Sequence, residues 1–172
     1  MTRSRRSDSG FSVFRIGIFA AVLGAVFVVG GFLLFSLEQA GLREPLNIDP
    51  PTGSELRDQV DGNSSSRRLY YFIPGMTAED VAAYYNGKLK EFYGNDWTET
   101  EQCRRLPRDG NVDNYVPGSG VVPYIFRCLF ENSGFESDRF TQIDIQPGVR
   151  NDASGENYEG NVIVEYIQQW QP

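Results

Sequence analysis

The chain has 172 residues, 40% apolar, 13% aromatic and 23% charged, which suits one folded domain with accessories and argues against wholesale disorder. It contains no histidine and two cysteines, so His-based triads, mixed zinc sites and Cys-only metal sites are excluded, and no catalytic residue, metal or cofactor is expected. Of 16 basic and 23 acidic residues, residues 1–36 hold four arginines and one aspartate; the remaining 12 against 22 leave residues 37–172 at −10, a charge that phosphate backbones repel, so nucleic acid is not an expected partner.

Residues 1–10 read as a cytoplasmic tail and 11–36 as a transmembrane helix. From Ile16 to Phe35 run twenty residues without a charge or a strong hydrogen-bonding side chain. At about 1.5 Å per residue they span about 30 Å, the thickness of a bilayer's hydrocarbon core, and only a helix satisfies that much backbone inside lipid. Arg3, Arg5, Arg6 and Arg15 precede the span, whereas only Arg43 follows within ten residues. The positive-inside bias therefore keeps the N-terminus cytoplasmic and exports the rest, as a single-pass protein of the plasma (inner) membrane. The rival reading is a cleaved signal peptide, but its apolar region is normally shorter, and the site at Glu38-Gln39-Ala40 has a poor −3 residue. Gly17, Gly24 and Gly31 recur at seven-residue intervals, with Ala20 and Ala21 on the same side. Small residues stacked in this way leave a groove for a second helix, either a second copy or another protein, although glycine and alanine are also simply common in membrane helices.

Residues 37–66 read as a linker, because Pro45, Pro50, Pro51 and the run Gly62-Asn63-Ser64-Ser65-Ser66 break any periodicity. Asn63-Ser64-Ser65 matches a glycosylation acceptor, a triplet that also arises by chance.

Residues 67–172 form the expected extracytoplasmic domain. Arg67–Pro74 alternates as a strand rich in aromatic and branched residues. Thr77 then reads as a helix N-cap with Asp80 completing a box-like pair. Val81, Tyr84, Tyr85, Leu89 and Phe92 form the apolar stripe of that helix, and Gly94 its stop. Gly87 in mid-helix costs about 1 kcal/mol relative to alanine. Four strands are predicted to follow, at Trp97–Arg105, Val122–Glu131, Arg139–Gln146 and Val162–Trp170, with long loops at Leu106–Val121 and Pro147–Asn161. The fold class is therefore α+β: an N-terminal transmembrane helix, then one helix packed on a four- to five-stranded antiparallel sheet.

Cys103 and Cys128 lie on consecutive predicted strands, and a small exported domain commonly carries such a brace. If the two are directly opposed, Arg104 faces Arg127 and Gln102 faces Leu129. A redox-active pair normally has closer spacing and a thiolate-stabilising environment, neither of which is visible here. The same register puts Tyr124, Phe126, Cys128, Phe130, Ile143, Ile145, Val162, Val164 and Tyr166 on the face toward the helix. Glu99 and Glu101 conflict with it, because they share the parity of Trp97 and Cys103. On the opposite face Arg104 and Arg127 sit side by side, either bridged by an acid such as Asp144 or open to a partner's carboxylate. Tyr70 and Phe72 also face away from the core, and with Tyr115 in its loop they are candidate contact residues.

Asp109-Gly110-Asn111-Val112-Asp113 begins like a calcium loop but has Asn114 where glycine is needed and Gly120 in place of the bidentate glutamate, so it reads as a turn. Glu99 with Glu101, or Asp144 with Glu165, would be the pairs for carboxylate-based hydrolysis, although exposed acids on strands usually form a solvated face. The order strand, helix, four strands resembles the cystatin-like grip, but the Q-x-V-x-G loop of that family is absent between the second and third strands, and no activity carries over. The expected function is a non-catalytic, membrane-anchored binding or accessory module, such as a small subunit of a membrane or envelope complex. The alternatives are an inhibitor-type or soluble-ligand module that uses loops 106–121 and 147–161, and a carboxylate-based hydrolase.

Overall fold

The structure, a computed structural model, describes residues 10–107, 116–131 and 139–171, save the side chains of residues 10–16, 20 and 37–42. It divides into two units at Gly41/Leu42. The first contains helix α1, Gly10–Leu42, whose stretch Gly17–Ser36 is long and apolar enough to cross a membrane. Open space surrounds Gly17, Gly24 and Gly31 on this helix.

The second unit is α+β. After strands β1 (Glu55–Asp61) and β2 (Ser66–Pro74) comes helix α2 (Ala78–Tyr93), and then β3 (Arg104–Leu106), β4 (Ile125–Glu131), β5 (Phe140–Pro147), β6 (Arg150–Asn151), β7 (Glu156–Asn157) and β8 (Asn161–Gln169). Six strands form one open antiparallel sheet in the order β1-β2-β8-β5-β4-β3, while β6 and β7 make a small separate ribbon within the loop after β5. The pairing of β2 with β8 joins strands far apart in the chain and places both inside the sheet, between β1 and β5.

Helix α2 begins as its sequence dictates. The Thr77 hydroxyl accepts from the Asp80 amide at 3.1 Å, and the Asp80 carboxylate accepts from the Thr77 amide at 3.2 Å. These two bonds complete the capping box, and the Thr77 donors hold the Asp80 carboxyl below its usual range. At the other end Gly94 takes a positive φ of 54° and donates its amide to the Lys90 carbonyl. The apolar stripe of α2 buries Val81, Tyr85 and Leu89 against Leu69, Ile73, Cys128, Phe130, Ile143, Ile145, Val162, Val164 and Tyr166. Tyr84, Phe92, Tyr124 and Phe126 flank this core, half-buried. Inside it the Tyr85 and Tyr166 hydroxyls share one hydrogen bond of 2.6 Å.

Two stretches differ from expectation. Residues 37–66 are not a linker. Helix α1 runs on to Leu42, residues 43–54 pack on the folded unit, and Glu55–Asp61 forms an edge strand, which takes the sheet to six strands. Leu46 and Ile48 lie against the core, and the Leu46 carbonyl accepts from Thr141 Oγ1 at 2.6 Å and from Gln168 Nε2 at 2.7 Å. Thr141 and Gln168 are 0% and 1% exposed, so this strap satisfies two polar groups that the alternation of their strands carries inward. Arg67 adds its fork to Gln168 Oε1 at 2.6 Å and Asn47 Oδ1 at 2.8 Å. Second, the predicted strand Trp97–Arg105 is mostly not a strand: a 3-10 turn at Gly94–Asp96 precedes it, another occupies Glu99–Glu101, and pairing begins only at Arg104–Leu106. The register conflict posed by Glu99 and Glu101 therefore disappears, because neither residue is on a strand.

Candidate functional site

The register on the third strand is as expected. Cys103 and Cys128 are joined, with their Cα atoms 4.1 Å apart, and Arg104 pairs with Arg127. Cys103 itself stands just before β3, so Gln102 opposite Leu129 lies outside the paired strand. The Asn86 side chain accepts from the Cys103 amide at 2.8 Å, which fixes this junction to helix α2.

Because α2 packs on one face of the sheet, the other face carries no helix among the described residues. A row of side chains crosses it from edge to edge, each directly opposite the next: Asp58, Tyr70, Glu165, Asp144, Arg127, Arg104. Acids therefore occupy one side and the centre, and cations the other side. Asp144 receives both guanidinium donors of Arg127, at 2.8 and 2.7 Å, and also Gln142 Nε2 at 3.1 Å. The carboxylate bond raises the Arg127 pKa further. Glu165 accepts from Tyr70 Oη at 2.9 Å and from Arg68 at 3.2 Å.

The row's two ends have no such partner. Among the described residues Arg104 gives one bond, to the Thr100 carbonyl at 3.1 Å, and Asp58 accepts from its neighbour's amide, Gln59 N, at 2.8 Å. Neither takes part in an ion pair there. The two arginines named from the sequence are thus brought together, but with different roles. Arg127 is committed to Asp144, and Arg104 is available.

Apolar side chains flank the row. On one side lie Phe72 paired with Ile163, and Leu106 with Ile125; on the other lie Val60, Ile167 and Leu129. Leu106, Leu129 and Val60 are 37%, 39% and 49% exposed, and the others are half-buried. Arg57 stacks on the Phe72 ring at 5.2 Å and pairs with Glu55. The face carries five acids (Glu55, Asp58, Glu131, Asp144, Glu165) and four arginines (Arg57, Arg68, Arg104, Arg127), a net −1 against the −10 of residues 37–172. It is a nearly neutral, partly apolar surface on an acidic domain. Two recesses open at its margins, about 250 Å3 beside Arg68 and Ile167 and about 240 Å3 beside Arg104 and Leu129. Both are smaller than the roughly 300 Å3 from which small-molecule sites begin.

Comparison with known protein families, curated proteins and solved structures finds no match for this chain.

The remaining sequence candidates fall as follows. Asp144 and Glu165 are neighbours, but they lie on the open face, Asp144 bonded through both oxygens and Glu165 through Oε1. Glu99 and Glu101 share a 3-10 turn. The calcium-like segment 109–113 and Tyr115 lie outside the described residues, as does the side chain of Ala20. Asn63 ties the β1–β2 turn, its Oδ1 accepting from Ser65 N at 3.1 Å and Ser66 Oγ at 2.9 Å. Loops 116–121 and 147–160 fasten to each other. Gly120 N donates to the Arg150 carbonyl at 3.0 Å, and Asp152 N to the Gly118 carbonyl at 2.9 Å. Both glycines have positive φ, and a Cβ on either would overlap the opposing loop at Asp152 or Asn151.

Sequence reasoning missed Asp58 and Glu165 as members of the row. For Glu165 the signal was present, since its strand alternates cleanly. For Asp58 there was none, because all seven residues of β1 are exposed.

Proposed function

We propose that the chain is a non-catalytic binding or accessory module, tethered to a membrane by residues 16–35, with its α+β unit outside the cytosol and its open sheet face as the contact surface. The observation that carries this reading is the row from Asp58 to Arg104 with its apolar flanks. A face this poor in net charge on an acidic domain suits apposition to protein more than solvation. The distribution of arginines around the span supports the N-in orientation, and the disulfide is compatible with an oxidising compartment. Carboxylates already engaged on this face offer little to the hydrolase alternative.

The test is to extract the full chain from its native membrane in mild detergent and measure the size of its assembly. Ile163→Glu, which places a charge among the apolar residues of the open face, should release the chain from that assembly. Lys90→Glu, on the exposed side of α2, should leave it intact. An assembly whose size is indifferent to Ile163→Glu would contradict the assignment of the face.

A further inference from the structure

The order of charges along the row identifies what covers it. Resting on the reading of the open face as a contact surface, we propose that its occupant is a second copy of this chain, related by a two-fold axis that runs parallel to the strands. Rotation about such an axis keeps the strand directions of the two sheets aligned but reverses the order of strands from left to right. It therefore lays β1 of one copy on β3 of the other, and Asp58 meets Arg104 at both ends of the interface. Among the described residues these are the two charges of the row that lack an opposite partner within one chain. Next inward, Tyr70 meets the Arg127 guanidinium, an amphipathic ring against a cation. The same axis lays Glu165 on Asp144 near the centre, and each of these acids arrives paired with an arginine of its own copy, Arg68 or Arg127. A two-fold axis across the strands would instead put Asp58 on Asp58 and Arg104 on Arg104, which like-charge repulsion opposes.

The dimensions also suffice. Six strands about 4.8 Å apart, from three residues in β3 to nine in β2 and β8, make a face of about 600 Å2 per copy, or about 1,200 Å2 for the pair, which reaches the lower limit of specific interfaces. Sheets packed in this way cross at about 30°, as twisted sheets do in sandwiches. The interface is isologous, as closed dimers require.

The experiment places a photoreactive benzophenone side chain at Ile167 of the full chain in its native membrane, with the same group at Glu91 on α2 as reference. Illumination should yield a self-crosslinked dimer from position 167 in excess over position 91. Asp58→Arg or Arg104→Glu alone should lower that yield at least about tenfold, and the double variant D58R/R104E should restore it. Retention of the Cys103–Cys128 disulfide in each variant reports that it has folded. Self-crosslinks indifferent to the single charge changes would overturn the two-fold arrangement. Crosslinks from 167 to a different protein, with none to self, would overturn the second copy while leaving the binding module in place. Absence of any protein crosslink from 167 would overturn both.

Discussion

Tyr85 and Tyr166 meet hydroxyl to hydroxyl at 2.6 Å within the core, ringed by Tyr71 and Tyr84. Each phenol satisfies the other in a place that water does not reach, so removing one leaves the other stranded. Tyr166→Phe should therefore destabilise the fold by about 1–3 kcal/mol in chemical denaturation, and the double change Y85F/Y166F should cost less than the sum of its parts. Burial also pushes both phenols well above the ordinary tyrosine range. Tyr124, half-buried and bonded to Glu79 at 2.7 Å, is pushed up to about 12, by burial first and then by that carboxylate. The sign follows from linkage. These groups stay protonated in the fold after the unfolded chain has begun to ionise near pH 10, so their contribution is complete below that value and is lost above it. Alkaline titration should show the last tyrosinate absorbance rising together with loss of the fold. Smooth titration of all nine tyrosines before unfolding would contradict this.

At the scale of elements, the strap after α1 carries the most testable consequence. Without residues 43–54 the Leu46 carbonyl no longer covers Thr141 and Gln168, and Leu46 and Ile48 leave the core margin. A chain that begins at Leu42 should melt cooperatively, while one that begins at Glu55 should lose several degrees of Tm or fail to fold. Equal melting of the two would remove the strap from the fold. This segment was opaque in the sequence for a physical reason. Pro45, Pro50 and Pro51 announce an extended chain, and extended chain serves a spacer and a docked strap equally well. What distinguishes them is a carbonyl meeting side chains about 95 and 122 positions away, which no local pattern encodes. Strand β1 was missed because an edge strand with seven exposed residues shows no alternation. By contrast α2 was legible from Thr77, Asp80 and Gly94, and β4, β5 and β8 from clean two-residue periods. The Cys103–Cys128 brace by itself implies Arg104 opposite Arg127, as found. Residues 97–101 misled because Trp97, Thr98 and Thr100 favour strands, whereas Gly94-Asn95-Asp96 just before them had already turned the chain.

At the scale of the whole molecule, three features of different origin converge on one reading. An apolar helix long enough to span a bilayer follows four arginines, a single disulfide staples the folded unit, and the acidity of that unit is kept off its open sheet face. Closing the 25-residue loop between the cysteines should stabilise the fold by about 3–4 kcal/mol in the chain-entropy model, a gain available only where thiols oxidise. Export is therefore the hinge of the functional proposal, which assigns both the staple and the surface it supports to the outside of the cytosol. It is tested most directly by acid-quenched thiol trapping of the chain, freshly isolated from its native membrane, read by intact mass. No adduct before reduction and two after it is the expected result. Two adducts without reductant would place Cys103 and Cys128 in a reducing compartment and contradict the account.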